Sequence, residues 1–427
     1  MEKVLIITYY WPPAGGPGVQ RWLKFVKYLP EFGIEPVVYC PENPSYPIKD
    51  ETLLSEVPEN VKILEHPIKE PYGLANFISK NKVSKISSGI IPKEKSQSLL
   101  QRLMLYIRGN YFIPDARKNW VEPSVKFLTG YISEHNIGTI ITTGPPHSLH
   151  LIGMKLKQEL QVKWLADFRD PWTTIGYHKQ LKLTKASEKK HIDLERSVLN
   201  SADAMIVTSN HTKHEFAKKT NQPVEVITNG YDVQNIDKVE KDKSFSLAHV
   251  GSLLSDRNPK ILWQALGELI MENEDFKKNF QLKLAGIVGQ DVLDSISDFG
   301  LNPYLKNLGY LNHSEAVTAQ KSAQVLLLIE IDSEDTKAII PGKLFEYMVS
   351  ETPILAIGPK NSDVQTIINE TNTGSYFLYK QKEEVKSKIL SLFEEFKTAK
   401  LIVKPMGLQK YSRKALTKQL AEIISKL

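Results

Sequence analysis

The sequence predicts an α/β protein made of two doubly wound, Rossmann-like halves, and three observations carry that expectation. Residues 3–9, KVLIITY, form an apolar run that passes directly into the glycine-rich WPPAGGPGV and then into the helical periodicity of residues 19–32. With the next apolar run, EPVVYC, this is the strand–loop–helix–strand opening of a doubly wound domain. A second alternating series starts near Phe245 with FSLAHVGSLL, FQLKLAGIVG and SAQVLLLIEID. Within it, Pro341-Gly342 breaks one segment, KLFEYM starts a helix, and TPILAIGP reads as a buried strand closed by a Gly-Pro turn.

Of the 427 residues, 41% are hydrophobic and 24% charged, a balance that fits a folded soluble chain of two or three domains. No apolar run approaches the ~18 residues of a spanning helix. The opening MEKVLIITYYW is too short an apolar run for a signal peptide and reads as a first strand. Cys40 is the one cysteine, which excludes an internal disulfide and a cysteine metal cluster and points to a reducing, cytoplasmic setting. The net charge of +6 matters mainly for where it sits. Residues 69–127 hold eleven basic and four acidic residues, a surplus of seven. There, SLLQRLMLYIRGNYFIP brings Leu99, Leu100, Leu103, Met104 and Ile107 onto one helical face beside Arg102 and Arg108. Such a stretch either docks on an anionic membrane surface or packs as a solvated helical hairpin. Residues 81–95, NKVSKISSGIIPKEK, read as a loop.

The first loop lacks GxGxxG spacing, so no nicotinamide cofactor is expected. Gly15, Gly16 and Gly18 form either a tight turn or a loop whose backbone approaches a substrate. Two further strands, GTIITT and VKWLADF, run into GPPHSLH and RDPW. They deliver His147, His150, Arg169 and Asp170 just past strand C-termini, where open sheets bind ligands. After a helix at 183–201 come the strands ADAMIVTS and VEVITNGYD, the sharp turn Asn229-Gly230, and the charged linker IDKVEKDKS. In the second half Gly251-Ser252 turns a strand toward a helix, with Arg257 and Lys260 near its start to take up phosphates. Asp332, Glu334 and Asp335 form an acidic loop whose close spacing does not fix Mg²⁺ geometry, and no metal is expected. Lys343 begins the KLFEYM helix and Glu346 follows one turn later. A cation for a diphosphate and a carboxylate for a ribose diol make a donor clamp. The plain alternative is a surface i,i+3 pair above a core of Leu344, Tyr347 and Met348. The chain closes on an amphipathic helix, LQKYSRKALTKQLAEIISKL, and shows no internal repeats.

PGKLFEYM followed by PILAIGP resembles the nucleotide-sugar signature of the retaining GT-B glycosyltransferases of family 4. YYWPPAGGPGVQR is similar to their first acceptor-side loop, GPPHSLH with ADFRDPW resembles their paired acceptor-side motifs, and Asn229-Gly230 resembles their domain junction. The likeness spans nearly the whole chain and is weakest over 44–110. It implies two domains facing a cleft: residues 1–230 on the acceptor side and 231–404 on the nucleotide-sugar side. A final helix, 405–427, would cross back to the first domain. The implied function is retaining transfer from a nucleotide-sugar donor to a glycan or lipid-linked acceptor in cell-surface polysaccharide synthesis. The donor clamp can stabilise a leaving diphosphate without cofactor or metal; no nucleic-acid partner is expected, and the chain is expected in the cytoplasm, with the basic stretch 69–127 as the means by which it could dock on the inner face of the membrane. His147 would face the sugar, with Arg169 and Asp170 beside it and Gly15, Gly16 and Gly18 in the acceptor loop. Gly251, Ser252, Arg257, Gly342, Lys343, Leu344 and Glu346 would hold the donor. Gly286, Tyr310 and Leu311 would border its base, and His147, Asp170, Arg257 and Lys343 would serve catalysis. The chain departs from the pattern at Ala338, where a Glu is usual, and at Ser252, where a basic residue is usual. A non-hydrolysing sugar-nucleotide epimerase shares the fold, but it needs a pair of catalytic carboxylates that the sequence does not place. An inactive nucleotide-binding scaffold is the non-enzymatic alternative.

Overall fold

A computed structural model describes residues 1–70, 99–232 and 239–427. The loop expected at 81–95, with Lys80, Lys82, Lys85, Lys93 and Lys95, lies outside the described residues, as does the start of the charged linker. The chain divides into two compact units: Met1–Gly230 with Arg413–Leu427, and Tyr231–Ser412.

In the first unit the described strands are β1 (Glu2–Ile7), β2 (Ile34–Glu42), β3 (Lys62–Pro67), β4 (Thr139–Gly144), β5 (Lys163–Phe168), β6 (Ala204–Val207) and β7 (Val224–Val226). They form one parallel sheet in the order β3-β2-β1-β4-β5-β6-β7. A parallel sheet is covered on both faces, so its strands are continuously apolar rather than alternating. Along β1 the side chains part to two cores: Leu5 and Ile7 join Trp164 and Phe168, while Val4 and Ile6 join Trp22 and Leu165. The helix expected over 19–32 is in fact Pro17–Tyr28 followed by a separate 3₁₀ turn, Leu29–Phe32. Pro30 has no N–H to continue the α-helical ladder, and Gly33 at φ +80° closes the turn. The strand expected over VEVITNGYD is only three residues long, and just beyond it Arg21 takes the carbonyls of Ile227 (2.8 Å) and Thr228 (2.9 Å).

The second unit holds β8 (Phe245–Val250), β9 (Phe280–Ala285), β10 (Leu305–Gly309), β11 (Val325–Ile329), β12 (Ile354–Gly358) and β13 (Gly374–Leu378). These too form a parallel sheet, ordered β10-β9-β8-β11-β12-β13. The closing helix is Arg413–Ile424 rather than the expected 405–427, and its Leu416, Leu420, Ala421 and Ile424 complete a first-unit core with Trp22 and Val26. Residues 405–412 stay with the second unit, where Tyr411 packs in one cluster with Phe345.

Strand order reverses between β1 and β4 in the first sheet and between β8 and β11 in the second. Outside the C-terminal ends of such strand pairs the diverging connections leave a crevice for ligand. Gly15, Gly16, Gly18 and His147 follow the first pair and Gly251 and Lys343 the second, while Arg169 and Asp170 follow β5, Gly286 follows β9, and Tyr310 and Leu311 follow β10.

Candidate active-site residues in each unit

In the second unit the segment that follows β11 returns as the short helix Lys343–Met348. It is pinned to the end of β8 by Tyr347, whose buried hydroxyl accepts from Val250 N–H (2.9 Å) and donates to the Val250 carbonyl (3.2 Å). Lys343 lies one turn before Tyr347 on the same face, so its ammonium is aimed past β8 at Gly251. Gly251 has φ +117°, and a Cβ there would fall 2.7 Å from Lys343 Nζ. Only glycine allows both the backbone and the lysine at this spot. The next loop is fitted as closely: Gly286 has φ +109°, and a Cβ there would meet the Gly251 carbonyl carbon at 2.7 Å. Gly251 N–H donates to Ala285 (2.8 Å) and Gly286 N–H to Gly309 (2.6 Å), which laces together the turns after β8, β9 and β10.

The surface Lys–Glu pair is not what forms. Lys343 Nζ turns to His249 Nε2 (3.2 Å), and Glu346 Oε2 accepts from Gln320 Nε2 (3.0 Å). Burial lowers Lys343 to about 7; Arg257 pushes the same way and Glu346 opposes. Arg257 is also lowered by burial, against Tyr379 and Glu330, and its Nε is buried without a hydrogen-bond partner among the described residues. Lys343, held over Gly251, and Arg257, close enough to disfavour its charge, are thus two desolvated basic groups that nearby acidic side chains offset only in part. That arrangement suits a ligand carrying concentrated negative charge. The helix has only six residues, so the cations rather than its dipole supply most of the attraction.

Other expected donor residues divide. Leu344 is a correction: its side chain is wholly buried and its N–H is taken by the Pro341 carbonyl (3.0 Å), so it anchors the helix and does not reach a ligand. Ser252 and Tyr310 are exposed, Leu311 is half-buried, and Gly342 has open space where a Cβ would stand. Ala338 is buried. In the acidic loop Asp332 is exposed, and Glu334 pairs with Lys337 (2.6 Å). No group of three metal-ligating side chains stands together among the described residues.

Two residues the sequence reading passed over belong here. His249 is buried, with Nδ1 3.0 Å from the Leu327 carbonyl. Glu330, just past β11, is buried with Oε1 2.8 Å from Ser362 Oγ and Oε2 2.7 Å from Tyr376 OH. Tyr376 OH also lies 2.8 Å from the Pro359 carbonyl. Burial lifts Glu330 to about 7, against its two hydroxyl partners and Arg257.

In the first unit, His147 caps the helix Ser148–Leu160 directly after β4. Its ring stacks on Trp172 at 4.9 Å and 3°. Both ring nitrogens are buried without a hydrogen-bond partner among the described residues. Burial holds the imidazole well below its ordinary range, and His150, His178 and Arg169 add to that. At neutral pH His147 is therefore an uncharged ring with one N–H to offer. Asp115 fixes its position by accepting from Ser148 N–H (2.8 Å) and Ser148 Oγ (2.9 Å). His150 serves the core: it stacks on Phe168 and bonds Thr142 Oγ1 at 2.9 Å.

Arg169 ties the loops together. It donates to the carbonyls of Gly144 (3.3 Å) and Pro145, and its guanidinium passes so near Gly18 that a Cβ there would lie 1.6 Å from Nη1. Gly16, at φ +106°, turns the chain into the helix Pro17–Tyr28, while Gly15 packs on Ile48. Asp170 is partly exposed beside Arg169, and burial raises its carboxyl. In the same motif, Asp167 is structural: it accepts from Arg21 (3.0 Å), Trp22 (2.7 Å) and Thr143 (2.8 Å) and is wholly buried.

No family model and no curated protein matches the chain. Solved structures do, over their full lengths. Anabaena HepE, in complex with UDP and glucose, superposes with a TM-score of 0.59 at 14% identity, covering 100% of both chains. The fold is GT-B. The lipopolysaccharide outer core galactosyltransferase WaaB gives 0.59 at 15% identity, also over 100% of both chains. A Listeria monocytogenes protein described as a UDP-N-acetylglucosamine 2-epimerase gives 0.54 at 11%, covering 99% of this chain and 96% of that one. At these identities the GT-B likeness fixes architecture, and chemistry has to be argued from the residues.

Proposed function

We propose that this protein is a glycosyltransferase that moves a sugar from a nucleotide-sugar donor to an acceptor hydroxyl with retention of configuration. The observation that carries the reading is the pair of desolvated cations, Lys343 and Arg257, at the switch point of the second sheet. In such a transfer the bond from the anomeric carbon to the diphosphate oxygen breaks, and the electron pair leaves with the diphosphate. The acceptor oxygen forms the new bond at that carbon and gives up its proton. Charge accumulates on the leaving diphosphate; it favours the protonated form of Lys343, and that ammonium with Arg257 stabilises the departing group more than the bound donor. No metal is assigned a part. Glu346, with one oxygen held by Gln320, is oriented to accept from a ribose hydroxyl through the other.

The first unit supplies the acceptor side in this reading. Because burial keeps His147 neutral, it donates a hydrogen bond to a sugar oxygen and does not act as an acid. Support for a nucleotide-sugar donor comes from the UDP and glucose complex of HepE and from the galactosyltransferase WaaB. We assign the acceptor to a glycan or a lipid-linked glycan in cell-surface polysaccharide synthesis, on the residue-level likeness to family 4. No helix among the described residues is long and apolar enough to cross a membrane. A lipid-linked acceptor would therefore be met by surface docking.

The epimerase-like neighbour makes epimerisation the second reading. One experiment separates the two. Thermal-shift screening against nucleoside diphosphates and their sugars selects the donor, since a ligand of the native state raises its stability. The selected nucleotide-sugar is then followed by NMR with and without glycan acceptors. Acceptor-dependent release of nucleoside diphosphate with an unchanged anomeric configuration is expected. Conversion of the sugar at C2 without acceptor would replace the transferase reading with the epimerase one, and activity lost to EDTA would overturn the metal-free assignment.

A further inference from the structure

We propose that His249 is a positioning residue for Lys343: its neutral imidazole accepts a hydrogen bond from the ammonium and holds it over Gly251. The proposal rests on reading this site as a seat for a diphosphate. Its geometry is independent of that reading. His249 lies in β8, 1% exposed, with Nδ1 3.0 Å from the Leu327 carbonyl on β11. A carbonyl can only accept, so Nδ1 carries the proton. In the neutral ring Nε2 is then a bare lone pair, and it stands 3.2 Å from Lys343 Nζ, which can only donate while charged. The tautomer is thus set from the neighbouring strand, and the acceptor is presented to the lysine.

The surrounding charges agree. Burial first, and then the Lys343 charge, hold the ring well below its ordinary range; Arg257 adds to them, while the backbone groups of Leu327 and Ser252 oppose without reversing the direction. Lys343 is faced by His249 from β8, by Arg257 from the turn Ser255–Arg257, and by Glu346 from its own helix. His249 is the direct hydrogen-bond acceptor in this set. It therefore stabilises the ammonium against burial and against Arg257. Without it, Lys343 loses its proton more readily and its ammonium is no longer directed at Gly251.

The test uses full-length protein and reads Lys343 directly. The rate of Lys343 acetylation by acetic anhydride, measured by mass spectrometry across pH, gives the midpoint of its deprotonation. His249→Gln keeps an acceptor near the Nε2 position, and His249→Leu removes it. His249→Asn still donates to Leu327 but ends short of Lys343, and it replaces His249→Leu should that variant not fold. The midpoint should stay near wild type in His249→Gln and fall by about 1–2 pH units in His249→Leu or His249→Asn. A merely structural role would leave the midpoint the same in all folded variants, and that result overturns the proposal. Calorimetry with inorganic pyrophosphate at pH 8 tests the consequence. Binding should weaken about tenfold without the acceptor and be restored by His249→Gln. Midpoint shifts in the variants, together with a wild-type protein that does not bind pyrophosphate, would keep the His249 assignment and overturn the diphosphate reading.

Discussion

Lys343 and Arg257 are held apart from full compensation, which is what a site for a highly charged leaving group requires. Lys343→Ala and Arg257→Ala should each lower turnover by roughly 2–4 kcal/mol in activation free energy, with smaller effects on KM. Steady-state kinetics with the donor found by screening checks this, and wild-type turnover in both variants would remove the cations from the chemistry. Glu330 gives a stability prediction of definite sign. Its folded pKa of about 7 stands above the ordinary 4.5. The folded state thus binds the proton more tightly, and stability declines as pH rises from about 4.5 to 7. Above that window the whole penalty of a buried charge remains. Glu330→Gln can accept from Ser362 and donate toward Tyr376, so it should leave stability nearly unchanged at pH 4.5 and raise it by up to about 3 kcal/mol at pH 8. Urea titrations at the two pH values decide it, and an equal effect at both would show that Glu330 does not titrate in this window. None of this was legible from spacing. Glu330 acts through Ser362, 32 positions on, and His249 through Lys343, 94 positions on. Hydrophobic periodicity reports only neighbours within a turn or two.

Elements were more legible than contacts. Apolar runs and glycine-rich breaks located the strands and the loops beyond their C-termini, because burial on both sheet faces imposes composition directly. Boundaries shifted where one residue overruled the pattern, as Pro30 does after Tyr28. The helix Leu99–Tyr111 shows the limit of the method. Its expected stripe was Leu99, Leu100, Leu103, Met104 and Ile107, yet the inward positions are Leu105 and Gly109, with Met104 half-buried. Leu105 packs on Leu181, and Gly109 comes so close that a Cβ would lie 2.6 Å from the Leu181 carbonyl oxygen. That partner lies far along the chain and cannot be read from the helix itself. The consequence is a face left outward: Leu99 is 83% exposed and Leu103 53%, with Tyr106 and Ile107 at 39% and Arg102 beside them. Anchoring to an anionic leaflet gains about 1 kcal/mol per basic residue near the surface, so a few suffice for reversible docking alongside apolar insertion. The protein should co-sediment with anionic vesicles at low salt, and binding should fall at high salt and with Leu103→Asp plus Arg102→Glu. No binding at low salt would leave a soluble acceptor as the better assignment.

The whole chain passes from one unit to the other at Gly230/Tyr231 and returns at Ser412/Arg413. Tyr231 N–H donates to the Tyr411 carbonyl at 3.1 Å, so the outgoing and returning strands are joined where they pass. The returning helix is not an appendage, since Leu416, Leu420 and Ile424 lie in the same core as Trp22 and Val26. The first unit is therefore incomplete until the last residues are added, whereas the second is continuous and holds Lys343, Arg257, His249 and Glu346. That division makes a prediction about where perturbations are felt. Leu420 is fully buried, and Leu420→Ala should destabilise the first unit by roughly 2–5 kcal/mol through lost burial and a residual cavity. A nucleoside diphosphate at a hundredfold its Kd should stabilise the second by about 2.7 kcal/mol. Hydrogen exchange read by mass spectrometry distinguishes the two effects peptide by peptide. In Leu420→Ala, protection should fall in β1, β4 and the helix Pro17–Tyr28, while nucleotide affinity stays within about twofold of wild type, because no nucleotide contact is touched. Bound nucleotide should add protection around β8, β11 and residues 341–350 in wild type and variant alike. Loss of nucleotide affinity by tenfold in a folded Leu420→Ala protein would show that the donor seat depends on the first unit, and would overturn its assignment to the second alone.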